Sequence, residues 1–188
     1  MSKTVSPNEA MTALNNLRIK SAVGDYILLF GSTETVLGWF ITHVSKSRFS
    51  IGESEKYEKY MEKILSKYNN FNVNVEIAEY LINQFQEKDS EQDWADLIAG
   101  LKYSMERRNF YAHNMHKIKD NKDLVKLKVS RSNRIENHYV DISVEEIEKD
   151  YVKLVKIYAD ILEYIISETD KDGNLLPDVN GGIKLPKY

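Results

Sequence analysis

Cysteine is absent from this 188-residue chain, which excludes disulfides, thiolate metal sites and a cysteine nucleophile, and permits an intracellular setting. Histidine is scarce. The four present, His43, His113, His116 and His138, show no HExxH-type spacing, so neither a metal site nor a cofactor is expected. Long apolar runs are missing as well. The opening MSKTVSPNEAMTALNN holds none, so no signal peptide is expected. The most hydrophobic stretch, Ala22 to Val44, is interrupted by Asp25, Ser32, Thr33, Glu34 and Thr35, short of the ~20 predominantly apolar residues of a membrane span. A cytoplasmic protein without membrane contact is the expectation. Positive charge is not in excess either: a formal net charge of -3 argues against a protein that coats nucleic acid, so any RNA must be held locally.

The residues that are abundant describe a folded domain. Apolar residues make up 42% and charged residues 29%, too hydrophobic a mixture for a disordered chain, and the length suits one domain, expected over residues 1–168. From 20 to 46 the residues Val23, Ile27, Phe30, Leu37, Ile41 and Val44 fall on one stripe at helical spacing, with Glu34 near its middle. Gly24, Gly31 and Gly38 recur every seventh residue on its edge, which predicts the close approach of another backbone. ESEKYEKYMEKILSKY reads as a second amphipathic helix closed by NNFN, and Val75 to Phe85 as a third, with Ala78, Leu81, Ile82 and Phe85 inward. Ser90 is the expected N-cap of a long helix to about His116, with an inner stripe of Trp94, Leu97, Ile98, Leu101, Met105 and Ala112.

After residue 122 the period changes. LVKLKVS, the turn RSNRIEN and HYVDI predict a β-hairpin at about 123–142. Ser143 with Glu146 forms a capping box that opens a last helix with the stripe Ile147, Tyr151, Leu154, Tyr158, Ile161, Leu162 and Ile165. From 169 to 188 two prolines and three glycines predict an irregular tail. The expected fold is all-α, a bundle of about four to six helices with one small hairpin inserted before the last long helix.

Two charged residues interrupt these stripes. On a straight helix set by Trp94, with about 100° per residue, Arg108 falls in the inner stripe. Arg107, Phe110 and Tyr111 leave it, and Asn109 and His113 stack four apart on one edge. An arginine keeps its charge, so burying it costs several kcal/mol unless a carboxylate or a phosphate meets it. Glu34 has the reciprocal need. One reading is a buried structural pair of Glu34 and Arg108; the other is a polar pocket between two helices.

The run Arg108-Asn109-Phe110-Tyr111-Ala112-His113 resembles the Arg-polar-x-x-x-His motif of the HEPN (higher eukaryotes and prokaryotes nucleotide-binding) superfamily. The motif ends a long helix, Ala precedes the His, a hairpin-like insert follows and a last amphipathic helix completes the bundle, so the resemblance covers about residues 20–168. Arg131 and His138 share a looser spacing across a turn and a strand, without that helical setting.

The resemblance implies a metal-independent endoribonuclease whose motif helices meet in a homodimer to form one composite cleft. Its setting would be toxin-antitoxin or antiphage defence, with RNA as substrate and an antitoxin or other regulatory protein as a further partner. His113 would be the general acid or base, Arg108 the phosphate ligand, Asn109 a hydrogen-bonding positioner, and Glu34 would orient Arg108 or His113. RNA supplies the nucleophile as its 2′-hydroxyl, so the products would carry 2′,3′-cyclic phosphate and 5′-hydroxyl ends. Met115 stands where a toxin subgroup of the superfamily has tyrosine, which gives no support to modification by a nucleotidyltransferase antitoxin. A noncatalytic module that binds RNA, a nucleotide or a protein is the alternative from a different class. His43, His116 and His138 receive no role, and the 12 tyrosines read as packing rather than base-stacking surfaces. Lys117, Lys119, Lys122, Lys126 and Lys128 read equally as a guide for RNA or as a solvated face.

Overall fold

The computed structural model describes residues 6–48, 70–85, 91–114, 125–129 and 138–167. The stretch ESEKYEKYMEKILSKY, the predicted turn, Met115, His116 and the tail from 169 lie outside those residues.

Helix α1 is Pro7–Arg48 and begins well before the expected residue 20. Proline at the first helical position has its φ already set and lacks an N–H that would go unpaired anyway. Ser6 caps the helix with Glu9: the Ser6 N–H donates to Glu9 Oε2 at 2.8 Å, and the Glu9 N–H donates to Ser6 Oγ at 3.3 Å. These bonds hold the Glu9 carboxyl below its ordinary value. The buried line of α1 runs through Val23, Tyr26, Phe30, Thr33, Leu37, Phe40, Ile41 and Val44. Thr33 meets its own polarity by donating Oγ1–H to the Leu29 carbonyl at 2.9 Å. By length and composition Pro7–Ser45 would suffice to cross a membrane, yet its buried line is occupied by the other helices.

Helix α2 is Phe71–Phe85. Its first turn uses the NNFN residues that sequence reading assigned to a terminator. Asn70 Oδ1 accepts the Asn72 N–H at 3.0 Å, so Asn70 caps the start, and Phe71 packs on Phe30 with ring centroids 4.5 Å apart. Helix α3 is Glu91–Asn114 and runs antiparallel to α1, since Trp94 meets Phe40 at 5.6 Å while Tyr111 meets Tyr26 at 5.1 Å.

Strand β1, Val125–Val129, pairs antiparallel with β2, His138–Ile142, placing Val125 level with Ile142 and Val129 with His138. Helix α4, Val144–Ser167, opens on the expected box: the Ser143 N–H donates to Glu146 Oε2 at 3.0 Å and the Glu146 N–H to Ser143 Oγ at 3.2 Å. It runs parallel to α1, with its start beside Ala22 and Asp25 and Tyr164 against Phe40 at 5.3 Å. Phe40, Trp94 and Tyr164 thus tie α1, α3 and α4 at one end of the core, and each such buried aromatic stabilises the fold by roughly 1.5–3 kcal/mol. The described chain is therefore an arrangement of four helices with one strand pair.

The α1 glycines do not do what their spacing predicts. Among the described residues a Cβ built on Gly24, Gly31 or Gly38 meets nothing within 4 Å. The close approach lies elsewhere, between α3 and α4, where a Cβ on Gly100 would come within 2.8 Å of Ile157 Cδ1. Leu28 (74% exposed) and Trp39 sit uncovered on the glycine side of α1.

Candidate functional site

The second half of α3 carries two adjacent arginines with different surroundings. Arg107 turns toward α4, where its Nε donates to Asp150 Oδ2 at 2.5 Å and its Nη2 donates to Tyr111 Oη at 3.0 Å. Tyr111 in turn donates its hydroxyl to Asp150 Oδ2, and Tyr103 donates to Asp150 Oδ1, each at 2.6 Å. The guanidinium also lies over the rings of Phe110 and Tyr111, at 5.2 and 5.1 Å from their centroids. One buried carboxylate therefore gathers three donors.

Burial alone would push the Asp150 carboxyl up. The hydrogen bonds from Tyr103, Tyr111 and Arg107, with the Arg107 charge, outweigh that and hold it below the ordinary carboxylate value. Tyr111 and Tyr103 shift the other way, up, first because burial disfavours phenolate and then because each already donates to Asp150. Tyr26 joins the network to α1: its hydroxyl donates to the Ser104 carbonyl at 3.1 Å, and its ring meets Tyr111 edge-on. Burial pushes its phenol up as well. The arrangement is a clamp between α3 and α4 in which both Asp150 oxygens are taken by donors of α3.

This overturns the expected placement of Arg107, Tyr111 and Ala112. Arg107, read as pointing away from the core, is the ion-paired one, and Tyr111, read as leaving the inner stripe, is fully buried. Ala112, read as inward, is exposed. The cause is the drift of the buried line around the helix. The buried line of α3 runs Trp94, Leu97, Leu101 and Ser104 in steps of three and four and reaches Tyr111 seven residues on, and such a line drifts by about 20° per seven residues from a straight 3.6-residue period. By Tyr111 it points between Arg107 and Arg108, so both arginines flank it.

Arg108 continues that line and is half-buried. Its Nη1 donates to Asn109 Oδ1 at 3.1 Å, and its guanidinium carbon stands 5.9 Å from the Phe30 ring centroid on α1. Asn109 and His113 are exposed and share one edge of the helix, a turn apart. Glu34 is half-buried on α1, one turn after Phe30. Among the described residues no ion pair or hydrogen bond joins Glu34 to Arg108 or to His113, so of the two readings the buried pair of Glu34 and Arg108 is not formed. Arg108, Asn109 and His113 lie in the last two turns of α3, Arg108 bonded to Asn109 and His113 exposed, with Glu34 on α1.

Sequence reading missed Asp150, Tyr103 and Arg107. A signal was present: Ile147, Asp150, Leu154, Ile157, Ile161 and Tyr164 are spaced three and four, which puts Asp150 on the buried line of α4 and demands a cation opposite it. A cleft of about 350 Å³ between α1 and the start of α4 sets Arg18 against Asp25 and Glu148, a balance that does not suit a phosphate. Among the described residues no group of three or more His, Asp or Glu could hold a metal ion. Comparison with known proteins finds no matching family model, no matching curated protein and no matching solved structure.

Proposed function

We propose that the chain is a metal-independent endoribonuclease of the HEPN type, acting in the cytoplasm in a toxin-antitoxin or antiphage setting, with Arg108, Asn109 and His113 at its working end. The observation that carries this reading is the division of labour between the arginines. Arg107 is taken up by Asp150, whereas Arg108 is half-exposed and, among the described residues, hydrogen-bonded only to the neutral Asn109 amide, on the same helix as the exposed His113. A fold that needed only one cation in its core already has it in Arg107.

The chemistry follows from the residue types. A guanidinium offers a planar fork of donors to a phosphate and keeps its charge as the phosphorane gains negative charge. Asn109, by accepting from Arg108, fixes the direction of that fork. An imidazole titrates near neutrality, so His113 can take the proton from the 2′-hydroxyl or return one to the leaving 5′-oxygen. Glu34, close to Phe30 on α1, is in a position to bias Arg108 by charge rather than by contact. A homodimer in which two such helix ends face each other would complete the cleft, and the strand pair between α3 and α4 would correspond to the insert of the HEPN-like bundle.

Purified protein incubated in EDTA with a mixed RNA pool tests the proposal, beside folded His113→Ala and Arg108→Ala variants. The expected result is cleavage by the parent alone, leaving cyclic phosphate ends. Intact RNA with all three proteins, or cleavage that both variants retain, would overturn it.

A further inference from the structure

The cleft between α1 and the start of α4 has an apolar floor and a charged rim. Its floor is the fully buried Ile147 with the half-buried Ala22 and Val144, and its volume of about 350 Å³ is that of a site for a small organic molecule. The space exists because Ala22 carries a single methyl group where a longer side chain would fill it.

The rim charges do not neutralise one another. Arg18 and Asp25 stand about 10 Å apart along α1, too far for the pairing that a spacing of three or four residues allows. Because α4 runs parallel to α1, Val144 sits at the Arg18 end, Glu148 near the middle and Tyr151 at the Asp25 end. The exposed Glu145 carboxyl is lowered first by backbone and Ser143 hydrogen bonds and further by the Arg18 charge, which agrees with a guanidinium near the first turn of α4. Among the described residues no ion pair joins Arg18 to Asp25 or to Glu148, and all three are exposed.

We infer that this cleft binds a free basic amino acid of the lysine type, with its α-carboxylate on Arg18, its α-ammonium on Glu148 and its side-chain ammonium on Asp25. The charges select the class. One guanidinium and two carboxylates leave the rim one negative charge in excess, and such a ligand carries one positive charge in excess, in matching order along its length. A dicarboxylate would meet two like charges, and an aliphatic zwitterion would leave Asp25 unanswered. The methylene stem lies over Ala22 and Ile147, and the Tyr151 ring offers its face to the cation at the Asp25 end. The inference goes beyond the nuclease reading and does not rest on it: Ala22 is about 12 Å along α1 from Phe30, the residue beside Arg108.

Titration calorimetry on the full chain tests it with L-lysine, norleucine (no side-chain ammonium), cadaverine (no carboxylate) and Nα-acetyl-lysine (no α-ammonium). Lysine is expected to bind saturably with a Kd below about 1 mM, and each analogue about tenfold or more weakly. Asp25→Asn should weaken lysine about tenfold and leave norleucine as it is in the parent; Arg18→Gln should weaken lysine and leave cadaverine unchanged. Ala22→Leu should abolish lysine binding by filling the floor. Circular dichroism checks that each variant is folded, and the two rim variants decide the question even if Ala22→Leu does not fold. No saturable binding of lysine by the parent up to about 10 mM would overturn the inference. So would norleucine binding as well as lysine, or lysine binding that Asp25→Asn and Arg18→Gln leave unchanged. Nα-acetyl-lysine binding as well as lysine would overturn the free amino acid in favour of the C-terminal lysine of a peptide.

Discussion

At the scale of single residues, the structure turns on which side chain holds Asp150. Its three hydrogen bonds and the Arg107 charge offset the cost of burying a carboxylate, so Asp150→Asn should lower stability at neutral pH by about 3 kcal/mol. The effect has a direction in pH. Because the folded state holds the Asp150 carboxyl below its ordinary value, the stabilisation is complete above roughly pH 4 and is lost as pH falls through the folded-state value. Urea titrations of parent and variant at a series of pH values should therefore converge in acid; a gap that stays constant down to pH 2 would contradict the clamp. Tyr111→Phe removes one donor to Asp150 and one acceptor for Arg107, so a loss of about 1–2 kcal/mol is expected. A rise in the Asp150 titration midpoint followed by NMR should accompany it.

At the scale of elements, the two capping boxes are alike in chemistry and differ in consequence. Ser143 opens α4, whose buried line crosses the whole core, so Ser143→Ala should cost about 1 kcal/mol of global stability. Ser6 opens a first turn of α1 that is entirely exposed, so Ser6→Ala should leave the urea midpoint in place and speed amide exchange only near the start of α1. Equal shifts in the two midpoints would show that the first turn of α1 unfolds with the core. Helix identity was legible from sequence because apolar spacing and caps are local: the Ser143 box and the inner faces of α1 and α3 around Phe30 and Trp94 follow directly from residue type. Helix rotation was not. Whether Arg107 or Arg108 faces α4 depends on how far the buried line drifts around α3, and a straight stripe drawn from Trp94 cannot carry that information to Tyr111. The glycines of α1 mislead for a related reason, since spacing shows where an approach is permitted and only the fold shows that Gly100 is where it occurs.

At the scale of the whole molecule, a net charge of -3 and one half-exposed arginine at the candidate site set how RNA can be held. Few phosphates can be neutralised, so the dependence of RNA affinity on salt should be shallow, a log-log slope of about -1 to -2 rather than that of a protein making six or more phosphate contacts. Fluorescence anisotropy with a labelled single strand between 50 and 200 millimolar salt measures this; a steep slope would place the RNA on a broader basic surface, for which the lysines after residue 116 are the candidates.

The separation of a structural Arg107 from an available Arg108 is the claim on which the rest depends, and urea unfolding of Arg107→Ala beside Arg108→Ala tests it most directly. Arg107→Ala leaves Asp150 buried and short of a partner, for an expected loss of about 2–4 kcal/mol. Arg108→Ala gives up one solvent-exposed hydrogen bond to its own sequence neighbour and a distant ring contact, for an expected loss under about 1 kcal/mol. Equal losses, or the larger one at Arg108, would contradict the account.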